Sequence, residues 1–204
     1  MKISELETPA LVLDLAALDA NLRRMRDRAM AAGKQLRPHF KTHKCSHLAR
    51  RQLEAGPCVG GCVAKLSEAE ALMAAGIDEI LITSPVVAPA KMARLAAAVS
   101  RHPKLLTVVD NFDHALALDR LARHAGIRLP VVMDVNPDMG RTGVNFADAG
   151  NFARQLAVLP GLDLRGIQCY AGNLQHLADF AERAEKSRSV LGRAAKLLRE
   201  LRRE

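Results

Sequence analysis

Tryptophan is absent from this sequence, tyrosine occurs once and phenylalanine five times, so aromatics make up only 3% of it. A core must then be built from Leu, Ala, Val and Ile. The scarcity also bears on partners, because single-stranded nucleic acid is held by aromatic side chains interleaved with basic ones. Here Tyr170 and the phenylalanines are scattered, mostly within apolar runs. The net charge of +8 is therefore read as solvated helix faces, such as 22–28 and 192–203. No nucleic-acid partner is expected.

Long hydrophobic runs are missing too. Nothing approaches the ~18 apolar residues of a membrane span. The N-terminal MKISELETPALVLDL has no apolar signal-peptide core. The expectation is a cytoplasmic protein with no membrane contact. The four cysteines (45, 58, 62 and 169) do not pair as a zinc site, since no second pair follows Cys58 and Cys62. Reduced thiols are expected. A dinucleotide fingerprint and a Walker A loop are both lacking.

What is present is ordinary globular material, 204 residues with 49% hydrophobic and 25% charged. Short apolar runs alternate with helical patterns. Strands are read at Ala10–Leu15, Leu36–Phe40, Cys58–Ala64, Glu79–Thr83, Leu105–Asp110, Leu129–Val135 and Leu164–Tyr170. Helices are read at Leu18–Ala32, Ser46–Ala55, Pro89–Ser100, Phe112–His124, Phe146–Leu159 and Leu177–Leu201. One more starts at a Ser67 N-cap, with Glu70 at the capping-box position and Gly76 closing it.

Near-continuous apolar strands such as ILIT and PVVMDV belong to a parallel sheet covered on both faces. Polar residues cluster just after successive strands, among them His39 and Lys41, Thr83 and Ser84, Asp110, Arg141, and Gln168 and Tyr170. A ring of polar strand ends is how a TIM-type barrel builds its site. The fold class expected is α/β, a TIM-type (β/α) barrel. Counting from Leu36 there are six βα units, and closure needs eight, so the barrel is read as incomplete.

RPHFKTHKCSH, residues 37–47, gathers three histidines, three cationic side chains and a cysteine. Lys41 follows an apolar strand and so projects at the barrel mouth. Cationic neighbours and desolvation lower a lysine pKa toward that of a nucleophile; a surface lysine on a basic loop is the other reading. In MDVNPDMGRTGV, Gly140 and Gly143 make a rigid turn that aims Arg141, unless the turn is a plain helix entry. In GIQCYAGNLQH, Gln168 and Tyr170 share one strand face, followed by Asn173 and His176.

These stretches, with TPALVLDLAALDANL and CVAKLSEAEALMAAGIDEILIT, resemble in content and order the fold-type III pyridoxal-phosphate enzymes of the alanine racemase N-terminal barrel family. The sequence is most similar to the D-threonine aldolase group, with 3-hydroxy-D-aspartate aldolase and D-serine dehydratase beside it. The resemblance implies that Lys41 carries pyridoxal phosphate as a Schiff base. It implies that Arg141 approaches the cofactor ring, that Gln168 and Tyr170 line the pocket, and that His39 and His43 relay protons beside the lysine. An Arg at the pyridine nitrogen keeps that atom unprotonated and weakens the ring as an electron sink.

The implied reaction is retro-aldol cleavage of a β-hydroxy-D-amino acid to glycine and an aldehyde. A D-serine dehydratase-like or racemase activity, a non-catalytic cofactor-homeostasis protein, and an interaction protein with a basic terminal helix are the alternatives. Relatives of this kind also use a divalent metal of the Mn or Zn class, with ligands in a β-rich domain beyond the span matched here, so no metal ligand is assigned. The resemblance further implies that residues 1–15 form a strand of that β-domain and 16–204 a partial barrel in a truncated member. A homodimer, or a separate chain completing the barrel, would fit such a molecule.

Overall fold

The computed structural model describes residues 2–203. Six strands form one sheet, all pairs parallel. They are β1 (Gly61–Val63), β2 (Ile80–Ile82), β3 (Leu106–Val109), β4 (Leu129–Asn136), β5 (Val144–Asn145) and β6 (Leu162–Cys169). The order is β1-β2-β3-β4-β6, with the two-residue β5 beside the C-terminal end of β4. The helices are α1 (Leu15–Ala31), α2 (Ser46–Glu54), α3 (Leu66–Ala74), α4 (Pro89–Arg101), α5 (Phe112–His124), α6 (Phe146–Ala157) and α7 (Phe180–Leu201).

Strand alternation sorts the core into two layers. Ile80, Ile82, Val109, Val131, Met133 and Val135 point toward the helices and join the main cluster with Leu95, Leu118 and Leu156. Leu81, Val108 and Val132 point the other way and pack with Cys62 and Leu106. That second set lines a lumen, so the sheet is curled into the expected incomplete barrel. Among the described residues, β6 has a strand partner on one side only.

Several elements differ from expectation. Leu36–Phe40 is not a strand but two isolated parallel bridges, Leu36 to Cys58 and His39 to Cys62. Pro38 has no N–H to give, and only its carbonyl takes part, accepting from Cys62 at 2.7 Å. Ala10–Leu15 forms no strand: no ladder includes it, and Leu15 already begins α1, capped by Asp14, which accepts from the Ala17 N–H at 2.9 Å.

The α3 cap is also displaced. Lys65 is the N-cap, not Ser67. Glu68, not Glu70, reaches back to the Ala64 N–H at 2.9 Å, while Glu70 pairs with Arg94 of α4. The last helix starts at Phe180 behind an Asp179 cap, after a 3-10 turn at Gly172–His176. By contrast α5 runs over the residues read from sequence, capped by Asn111.

Candidate active site

The lumen holds a cavity of about 950 Å³, lined by residues from the 37–41 segment and from β1, β2, β3, β4 and β6. His39, Lys41, Arg141, Gln168 and Tyr170 all line it. His43 is not among its lining residues.

Lys41 is placed by packing beneath it. Phe40 is buried to 2% exposure and fills the space over Gly61, whose missing side chain makes room for the ring. The Phe40 N–H is tied to the Cys62 carbonyl at 2.8 Å. From that anchor the chain turns, and Lys41 Nζ lies 5.6 Å from the centre of the Tyr170 ring. Arg141 comes from the turn between β4 and β5, with its guanidinium carbon 5.1 Å from the same centre. Two cations thus converge on one aromatic ring, a contact favourable by ~0.5–2 kcal/mol each. The ring itself rests on Gly172, where an added Cβ would come within 2.5 Å of Tyr170 Cε1.

The two histidines beside Lys41 are brackets. His39 Nδ1 accepts the Lys41 N–H at 3.2 Å, and Nε2 lies 3.3 Å from Thr83 Oγ1. The Thr83 hydroxyl donates to the Val63 carbonyl at 3.0 Å, so the proton in the His39–Thr83 bond belongs to His39. That defines a neutral ring with its proton on Nε2. Burial, and secondarily the Lys41 charge, lower the His39 pKa, with Glu68 opposing.

His43 repeats the pattern. Nδ1 accepts the Cys45 N–H at 3.1 Å, and Nε2 meets Gln52 Oε1 of α2 at 2.8 Å. Both nitrogens of both rings are thus engaged in hydrogen bonds. Cys45 and His47 stand at the start of α2.

The Arg141 turn is gripped from the ends of two strands, β3 and β4. Asn136 Oδ1 accepts the Met139 and Gly140 N–H groups at 2.9 and 3.2 Å. Asp110 accepts the Gly143 N–H at 3.0 Å, and Thr142 donates to Asp134 at 2.8 Å. Gly143 sits at φ +99, and a Cβ there would come within 2.5 Å of the Asn136 nitrogen, so only glycine fits. Asp134 is 3% exposed. Burial raises its pKa, while bonds from Gln168 and Thr142 pull it back. Asp134 went unremarked in the sequence, although a carboxylate inside an apolar strand is the signal for it. Asn173 and His176 lie in the 3-10 turn and do not line the cavity.

Residues 13–204 match the family model described as alanine racemase, N-terminal domain. The chain belongs to that family. It is 40% identical to a D-threonine aldolase of Arthrobacter sp over 202 residues, covering 97% of this chain and 53% of that protein. It is 37% identical to a 3-hydroxy-D-aspartate aldolase of Paracoccus denitrificans (strain Pd 1222), covering 91% of this chain and 48% of that one. The crystal structure of D-threonine aldolase from Filomicrobium marinum superposes with a TM-score of 0.89 at 35% identity, covering 98% of this chain and 55% of that one. The chain therefore spans about half the length of the curated relatives it matches. No helix among the described residues is long and apolar enough to cross a membrane.

Proposed function

We propose that the lumen binds pyridoxal phosphate through Lys41 and serves retro-aldol cleavage of a β-hydroxy-D-amino acid to glycine and an aldehyde. The observation that carries this is the convergence of Lys41 and Arg141 on the Tyr170 ring at one cavity. A planar pyridine aldehyde needs an amine to hold the carbonyl, a flat contact for the ring and a hydrogen-bond donor beside the ring. Lys41, Tyr170 and Arg141 supply these, so the residues present fit the group. The substrate class follows the names of the aldolase relatives.

When bound, the cofactor draws electron density from the bonds to the substrate Cα. The chain's own residues do the rest. Lys41 Nζ would be the attachment point and, when free, would put an amine in the cavity. Arg141, held by its turn, keeps a fixed charge beside the bound ring. His39 holds the backbone of Lys41 rather than moving a proton. His43 braces the same loop against α2. The divalent metal implied by the resemblance is different: among the described residues no group of three or more His, Cys, Asp or Glu is placed to hold an ion. The residues present do not fit it, and no step is routed through it.

The test mixes the purified chain with pyridoxal phosphate, reduces with borohydride and maps the adduct by mass spectrometry. An adduct on Lys41 and a visible absorbance band lost in Lys41→Ala are expected. No adduct on Lys41 overturns the proposal. Release of glycine and acetaldehyde from D-threonine, with and without Mn²⁺, supports the aldolase part. An adduct without turnover overturns that part and leaves cofactor binding standing.

A further inference from the structure

Asp134 and Gln168 are register partners on β4 and β6. Asp134 lies two residues beyond Val132, so its side chain stands on the lumenal face. It is buried, and its two carboxylate oxygens are committed. Oδ1 accepts from Gln168 Nε2 at 2.9 Å and Oδ2 from the Thr142 hydroxyl at 2.8 Å. Gln168 Nε2 donates a second time, to the Thr83 carbonyl at 3.2 Å. A carboxylate and a carbonyl only accept, so the amide nitrogen must face both. The remaining atom of the amide is the acceptor Oε1, and Gln168 lines the cavity.

From this geometry we infer that Asp134 is a positioning residue that locks the Gln168 amide with its carbonyl oxygen available to the cavity. The ligand atom opposite β6 is then a hydrogen-bond donor, an N–H or an O–H. A ligand presenting only acceptors at that point leaves Oε1 unpaired, a loss the site discriminates against. The same carboxylate holds Thr142, the residue after Arg141. One buried group therefore ties the polar wall on β6 to the turn that carries the cavity's arginine. The inference rests on the cofactor reading for the identity of the ligand, and on the geometry alone for the state of Gln168.

Two measurements test it. The first needs no ligand. The side-chain ¹⁵N amide of Gln168, assigned by its absence in Gln168→Leu, is followed by solvent exchange in the wild type, Asp134→Asn and Asp134→Val. Exchange at least about tenfold slower than a free glutamine amide is expected in the wild type, the protection of one net hydrogen bond. Asp134→Asn keeps an acceptor and most of that protection, while Asp134→Val loses it. Wild-type exchange at the free rate overturns the inference. Should Asp134→Val not fold, Asp134→Asn decides alone: its neutral oxygen is a weaker acceptor, so the amide proton moves upfield, and an unmoved resonance overturns the inference.

The second is pyridoxal phosphate titration by absorbance. Asp134→Val should weaken binding about tenfold, and Asp134→Asn should restore most of the loss. A flat series overturns the positioning role while leaving the cofactor reading intact. Failure of the wild type to bind overturns the cofactor reading, and the exchange measurement still decides the role of Asp134.

Discussion

Gly61→Ala should damage the site by way of packing alone. A Cβ at position 61 would stand 2.0 Å from Phe40 Cε2 and 2.3 Å from Cζ. Carbon atoms rest at ~3.5–4.0 Å, so the ring must retreat by about 1.5 Å or more. It has nowhere free to go, being 2% exposed and packed at 5.7 Å against the tilted His43 ring. Overpacking of this kind costs about 1–3 kcal/mol. Gly61 does not sit at positive φ, so alanine adds no backbone strain there. Replacing a glycine also stiffens the unfolded chain, which offsets about 0.4–1 kcal/mol. The net expectation is a destabilisation of about 1–2 kcal/mol.

The decisive comparison is a double-mutant cycle with Phe40→Leu. Leucine lacks the distal ring atoms that the new Cβ meets, so Gly61→Ala should be close to neutral in that background. The coupling is then about 1–2 kcal/mol, within the range for residues in contact. With no tryptophan in the chain, urea unfolding is best followed by far-ultraviolet circular dichroism. Because Phe40 adjoins Lys41, the rate of borohydride-trapped adduct formation should fall in Gly61→Ala and recover in the double mutant. Additive free energies within about 0.5 kcal/mol would refute the argument that Phe40 is seated on Gly61.

Two further outcomes follow from polar groups drawn partly or wholly out of water. The His39 pKa is lowered in the fold, so between that value and the ordinary 6.5 the unfolded chain binds more protons. Its contribution is complete above pH 6.5 and is lost as pH falls through the lowered value. Urea midpoints from pH 7.5 to 5 should therefore fall more steeply in the wild type than in His39→Gln; equal slopes would refute the bracket. His114, whose pKa burial also lowers, contributes equally to both curves. Asp119, 3% exposed, accepts the Gly161 N–H at 2.8 Å and Arg123 Nε at 3.0 Å. Asp119→Ala should cost about 2–3 kcal/mol by leaving that amide unpaired, and Asp119→Asn clearly less; equal urea midpoints for all three proteins would refute it.

Much of the scaffold was legible because periodicity and punctuation agree. ILI and VVMDV can only be strands covered on both faces, and FDHALALDRLARH has a cap, an apolar stripe and a terminal glycine. The misreadings have local causes. ALVLDL has the composition of a strand, but a strand needs a neighbour, and composition names none. At α3, serine and glutamate in capping-box spacing suggested a cap two residues late. The box register was decided instead by Glu68, which reaches the Ala64 N–H, while Glu70 was free to bind Arg94 on the next helix.

The crowded stretch at 37–47 shows what spacing cannot decide. His39, Lys41 and His43 alternate, and in an extended strand all three would share a face. The chain instead turns after Phe40, so Lys41 goes to the cavity and His43 to Gln52 on α2. The turn is invisible in the motif, because its cause is Phe40 settling on Gly61, a residue twenty-one positions away. Each histidine then accepts the N–H two residues ahead and uses its second nitrogen on a neighbouring element. The titratable groups crowded around Lys41 are therefore mainly architecture. They hold one flexible side chain at one place against Tyr170, the requirement that a site built around a single lysine places on the residues beside it.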